Sequence, residues 1–231
     1  MRLIKRCMLL VFSLLLLLVS TGEANASKLN RPVYNSGINE CKKIALTFDD
    51  GPHPKNTPKI LKILDKYDVK ATFFVIGVNV KNYPSTLSMI KEQGHEIGNH
   101  TYSHHILKSK SKDEILKEIS KTEKEIGKIT DYSTSLVRPP CGMYDENLVD
   151  IAKENNYKIV LWNVDTKDWE HLSCDEIVSN VTKRVNGGEI ILFHDYISGI
   201  NNTPEALEVL IPRLKEQGYE FVTVSQLLQE K

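Results

Sequence analysis

From Lys42 onward the chain switches repeatedly between two hydrophobic periods. Short runs at 42–48, 71–76, 95–99, 135–137, 157–163, 189–193 and 219–224 read as strands, the one at 71–76 being a β-branched and aromatic run. Between most of them lie longer segments with apolar positions three and four apart. These segments, at 57–67, 84–93, 111–126, 145–155, 174–185 and 204–217, read as helices. The third is the clearest, because Ile115, Ile119, Thr122 and Ile126 form one stripe on an otherwise charged segment. Pro58 stands in the first turn of the first helix, and Gly94 and Gly218 stand just past the ends of two others. Alternation of this kind predicts an α/β fold of parallel strands joined by crossover helices. It leaves an open sheet and a closed barrel both standing. No GxGxxG follows a strand, so dinucleotide binding has no support.

The first 41 residues break the pattern. Arg2, Lys5 and Arg6 precede an apolar run from Cys7 to Val19, and Ala24-Asn25-Ala26 follows. A basic start, an apolar centre and an A-x-A end predict a secretory signal peptide over 1–26, cleaved after Ala26. The apolar run is shorter than the roughly 20 residues a membrane-spanning helix needs, so an uncleaved anchor is the weaker alternative. Residues 27–41 are polar, with Asn30, Pro32, Asn35, Ser36 and Gly37, and read as a linker. Residues 42–229 then read as a single domain, which the signal peptide predicts to be exported.

Composition narrows the classes. Of 231 residues, 41% are hydrophobic and 26% charged, enough for one sizeable core. Lys+Arg and Asp+Glu both number 30, so there is no basic excess to suggest nucleic-acid binding. Outside the signal segment the cysteines are Cys41, Cys141 and Cys174. They are odd in number and lack CxxC spacing, which predicts neither a disulfide scaffold nor a zinc knuckle.

The chemistry sits where strands end. Asp49-Asp50-Gly51-Pro52 follows the first strand, at the end where α/β folds place their active sites. His100 and His104, four residues apart, would share one side of a helical turn and reach one metal ion. Arg138-Pro139-Pro140-Cys141-Gly142 presents a guanidinium on a stiff strand end, suited to orienting a carboxylate. Asp165-Thr166-Lys167-Asp168-Trp169 offers acids and an aromatic, and Leu192-Phe193-His194-Asp195 ends an apolar strand on a histidine. Each motif alone has a plain structural explanation as a turn, a cap or a core position. Their conjunction in one chain does not.

Taken together, the five motifs resemble those of the polysaccharide deacetylases, the NodB-like carbohydrate esterase family 4, over roughly residues 42–228. The resemblance implies a distorted (β/α)7 barrel with a single domain. It implies Asp49 as general base, Asp50, His100 and His104 as ligands of a divalent metal, and His194 as general acid. Arg138 would hold Asp49 in place and keep it ionised, and Asp165 would do the same for His194. Cys141, Trp169 and Leu192 would bind substrate, with Leu192 lining the acetyl-methyl pocket. The implied reaction is attack of a metal-activated water on the acetyl carbonyl of an N-acetylated amino sugar. Zinc suits the ligands first, with cobalt or nickel as alternatives. The sequence departs from the family at Cys141, where an aromatic residue is usual.

The expected partner is a polysaccharide, peptidoglycan or a chitin-like polymer. Nucleic acid and protein partners are not expected, and the protein is expected to be a monomer. An O-acetyl esterase acting on xylan and a chitin-oligomer deacetylase are the rival activities on the same fold. A catalytically dead glycan-binding domain is disfavoured, because every motif acid and histidine is present.

Overall fold

A computed structural model describes residues 32–37, 42–131 and 133–229. The predicted signal peptide, most of the predicted linker and Cys41 lie outside the described residues. From Val33 onward the described chain forms one compact unit, and no helix within it is long and apolar enough to cross a membrane.

The strands are β1 (Val33–Tyr34), β2 (Lys43–Asp49), β3 (Thr72–Val75), β4 (Glu96–Asn99), β5 (Leu136–Val137), β6 (Lys158–Val160), β7 (Val164–Asp165), β8 (Ile190–His194) and β9 (Glu220–Phe221). The helices are α1 (Asn56–Lys66), α2 (Gly77–Asn82), α3 (Pro84–Glu92), α4 (Lys112–Thr130), α5 (Glu146–Asn155), α6 (Cys174–Thr182), α7 (Thr203–Glu216) and α8 (Val224–Gln229). Strand order is β1-β6-β5-β4-β3-β2-β8-β7, with β9 added to the start of β2, and every strand pairing is parallel. Only the short 161–163 segment joins β6 to β7, although they lie near opposite ends of that order. So short a link cannot span an open sheet, so the sheet must curl. An antiparallel bridge between Ser36 and Glu189 draws the β1 edge to the start of β8. Strands β2 to β8 thus form the expected seven-stranded barrel, incompletely closed between β6 and β7.

Three sequence expectations need correction. The run 157–163 holds only the three-residue β6, because the chain leaves the β5 side of the barrel at Leu161, and a further strand, β7, begins beyond it where Val164 joins β8. Val33–Tyr34, inside the predicted linker, pairs with β6 as a strand. The run 219–224 holds only a two-residue strand before α8, whose first turn is capped by the Thr223 hydroxyl accepting from the Gln226 N–H. The helix α2 was not predicted either; six residues with two asparagines carry too weak a periodic signal.

The pleat of β2 shows how the sequence aims the site. Ile44, Leu46 and Phe48 are buried against the surrounding helices in the main core cluster, whereas Ala45 belongs to a separate inner cluster with Phe74, Val160 and Ile190. Alternation therefore points Thr47 and Asp49 into the barrel. The same period points Leu192 and His194 inward from β8, since Ile191 and Phe193 join the outer cluster. Gly98 matters here: a Cβ on it would fall 2.4 Å from the Phe74 ring, so only glycine leaves that ring its place.

Candidate active site

Four strands deliver the chemistry to one end of the barrel. Asp49 ends β2 and His194 ends β8, and the two are register partners across the ladder. His100 follows the last residue of β4, and Arg138 the last residue of β5. Nine of the ten predicted site residues line one cleft of about 360 Å³: Asp49, Asp50, His100, His104, Cys141, Asp165, Trp169, Leu192 and His194. Trp162, which the sequence reading did not single out, completes the lining. The tenth residue, Arg138, is fully buried behind the cleft and meets two of its lining residues, Asp49 and Trp162.

Arg138 is the most constrained side chain of the site. Its guanidinium donates to Asp49 Oδ1 at 2.7 Å, to Thr47 Oγ1 at 2.9 Å, and to the carbonyls of Val160 and Leu161. It also lies 4.0 Å over the ring of Phe74. Burial draws the guanidinium pKa down, and the charge of Asp49 opposes that shift. Removing one member of such a buried pair leaves the other uncompensated, at a cost of about 3–5 kcal/mol. The packing chain from Gly98 to Phe74 to Arg138 thereby fixes one oxygen of Asp49 and leaves the other facing the cleft.

Asp50, His100 and His104 offer ligand atoms that all lie within 4.8 Å of one another. His100 Nε2 is 3.4 Å and His104 Nε2 3.2 Å from Asp50 Oδ1, and that oxygen has no hydrogen-bond partner although it is buried. His100 Nδ1 lies 2.8 Å from the carbonyl of Arg138, which can only accept, so Nδ1 carries the proton and Nε2 presents a lone pair. Lone pairs from two imidazoles and a carboxylate converging on one point fit a divalent cation. Burial lowers the basicity of His100, but Asp49 and Asp50 overcome it and raise its pKa, a need for positive charge that a cation meets. Burial would raise the pKa of Asp50, yet His100, His194 and His104 bring it below the ordinary value. His104 is lowered, by burial and then by the charge of His100.

The histidine pair does not sit on a helix as expected. Residues 100–106 are a loop, with Thr101 and His104 in the left-handed region at φ 69 and φ 59. The rings still converge, with centroids 5.0 Å apart.

A second correction concerns the partner of His194. Asp168, not Asp165, lies 2.8 Å from His194 Nδ1 and also accepts the His194 backbone N–H. The Asp165 carboxylate instead accepts the N–H of Lys167, whose left-handed backbone at φ 59 swings Asp168 beneath the histidine. Thr203 on α7 donates to the same Asp168 carboxylate. Burial lowers the pKa of His194, but Asp168, with smaller help from Asp49 and Asp50, raises it to about 9. The sequence held both acids within one motif and offered nothing to choose between them.

The neighbouring residues have structural duties. Asp195 is fully buried, accepts from the Thr57 hydroxyl, and is pushed up to about 7 by that burial. His53 accepts backbone N–H groups at the start of α1, and His171 lies against the carbonyl of Ile200. Cys141 and Cys174 are free thiols. Cys141 is exposed at the cleft with φ 55, and the ring of Trp162 packs where a side chain on Gly142 would stand.

Comparison with known proteins identifies the family. The family model described as polysaccharide deacetylase matches residues 36–160. A Bacillus cereus protein named peptidoglycan-N-acetylglucosamine deacetylase is 42% identical over 84% of this chain and 71% of its own length. A solved peptidoglycan N-acetylglucosamine deacetylase superposes with a TM-score of 0.84 at 40% identity, covering 86% of this chain and 94% of that one. A family 4 acetyl xylan esterase from Clostridium thermocellum, solved with a cobalt ion, gives a TM-score of 0.74 at 37% identity over 80% of this chain and 89% of that one. The chain belongs to the polysaccharide deacetylase family of hydrolases.

Proposed function

We propose that this protein removes N-acetyl groups from the amino sugars of a polysaccharide, with the N-acetylglucosamine of peptidoglycan as its first substrate. The observation that carries the reading is one cleft holding an Arg138-fixed carboxylate, an Asp168-fixed imidazole and a three-ligand metal set between them. Asp50, His100 and His104 hold the metal, and zinc is the first candidate. When bound, the divalent cation supplies Lewis acidity and lowers the pKa of water.

The residues of the chain do the rest. Arg138 holds Asp49 so that its free oxygen takes the proton of the attacking water. The Cys141 backbone N–H, turned by its left-handed conformation, donates to the developing oxyanion. Leu192 walls the acetyl methyl group. His194 delivers its proton from Nε2 to the departing sugar amine, which leaves poorly without it, while Asp168 holds Nδ1. Asp165 and Trp169 face the sugar. The basic and apolar segment before Ala26 supports export to the cell wall, where this polymer lies.

The likeness to an acetyl xylan esterase favours O-acetyl esters as a second reading. Acetate release from peptidoglycan, from chitin oligomers and from acetylated xylan separates the two, with the products identified by mass spectrometry. Release from xylan alone overturns the amide reading. Chelation should abolish activity on the true substrate and added zinc restore it.

A further inference from the structure

The loop bearing His100 and His104 owes its shape to groups outside it. Left-handed backbone at non-glycine residues such as Thr101 and His104 persists only where the surroundings over-determine it. Part of that constraint comes from the end of β4 and the start of α2: Asn99 Oδ1 accepts the Thr101 N–H, and Gly77 and Val78 donate their N–H groups to the carbonyls of Thr101 and Tyr102. The centre of the loop is held by one carboxylate. Glu118 Oε2, on α4, accepts the Tyr102 N–H at 3.1 Å, the Ser103 N–H at 2.9 Å and the Ser103 hydroxyl at 2.8 Å. Among the described residues Glu118 forms no ion pair, so its charge is committed to the loop.

The platform beneath this carboxylate is rigid. A capping box of Ser111 and Glu114 starts α4, and Ile115, Ile119, Thr122 and Ile126 bury its inner stripe. Gly77 lets α2 approach closely, since a Cβ there would fall 2.6 Å from the Tyr102 ring and 2.7 Å from the Thr122 hydroxyl. Helix, loop and ligands therefore form one packed unit.

We infer that Glu118 is a positioning residue for metal binding: it fixes Tyr102 and Ser103 so that His100 and His104 present Nε2 to the same point as Asp50. Groups that orient metal ligands from behind typically change affinity 10- to 100-fold when removed. The inference rests on the reading of Asp50, His100 and His104 as the metal ligands.

Calorimetric titration of zinc into the metal-free protein tests it, alongside circular dichroism. Glu118→Ala should keep the fold and lose about tenfold or more in zinc affinity. Its kcat should approach that of the parent once zinc is saturating, which a general structural defect would not allow. Glu118→Gln keeps a carbonyl acceptor but loses the charge-assisted bonds, so its affinity should fall between the two. A folded Glu118→Ala that binds zinc as tightly as the parent overturns the inference. If that variant does not fold, Glu118→Gln decides: reduced affinity supports the role, and unchanged affinity overturns it. A parent protein that takes up no zinc removes the ligand reading itself, whereas a normal parent with an unaffected variant removes only the role of Glu118.

Discussion

The two sides of the cleft are built differently. On the metal side, Asp49 ends the seven-residue β2, and His100 directly follows β4. There the side-chain direction of Asp49 follows from the pleat, and its charged partner Arg138 is buried among fixed acceptors. On the acid side, β7 has two residues and passes straight into a tight turn with left-handed backbone at Lys167 and His171. There Trp169 is 49% exposed, and the partner of His194 is chosen by the turn rather than by a strand. A long strand converts sequence order into direction, whereas a turn converts it into position only after its dihedrals are known.

The sharpest way to break this comparison is at Asp49. Asp49→Asn should lower acetate release by about 10³-fold, the scale of a lost general base, while zinc content measured by atomic absorption stays at the parent level. Retained activity would leave the metal side without its base. The next test sets the two acids of the acid side against each other. Asp168→Asn should reduce kcat by about 10²-fold, and Asp165→Asn should have a smaller effect that falls mainly on KM. The pH profile adds a sign. His194 is raised to about 9, so the proton needed for the leaving amine is present below that pH and lost above it. The parent should lose activity as pH rises through about 9, and Asp168→Asn should bring that fall to lower pH. An unmoved limb in Asp168→Asn with a moved one in Asp165→Asn would restore the original pairing.

The smallest effect concerns the foot of the metal side. His95, just before β4, is buried against Phe73, and burial with the nearby charge of Lys70 lowers its pKa to about 4. Its Nδ1 accepts the Ala71 N–H. The unfolded chain takes up this proton below its ordinary value of 6.5 while the folded chain stays neutral to about 4. The stability is therefore complete above 6.5 and lost as pH falls towards 4. Between pH 7 and 5 the loss should be about 2 kcal/mol by urea denaturation. His95→Asn, which keeps an acceptor without titrating at these pH values, should remove that part of the pH dependence.

Both site corrections follow one physical pattern. The i, i+4 spacing of His100 and His104 predicted convergence correctly and its means wrongly, because a loop clasped by Glu118 brings the rings together as a helix would. The motif around Asp165 marked the right segment and the wrong carboxylate, because Lys167 reverses the chain between the two acids. Trp162, Asp168 and Glu118 each act through contacts with residues 15 or more positions away, and such contacts leave no periodic trace. Arg138, by contrast, was legible because stiff prolines and an apolar strand flank it.

The amino-acid sequence by itself determined the alternation of strands and helices, the side of each long strand that faces inward, and the residues gathered at the strand ends. Hydrophobic period and strand polarity are local properties, and the pleat carries them directly into space. The tertiary structure alone decided how the sheet curls between β6 and β7, which acid serves His194, and what holds the ligand loop in a strained backbone. Those outcomes depend on contacts between segments distant in the chain, where the free energy of one residue is set by neighbours that its own stretch of sequence does not contain.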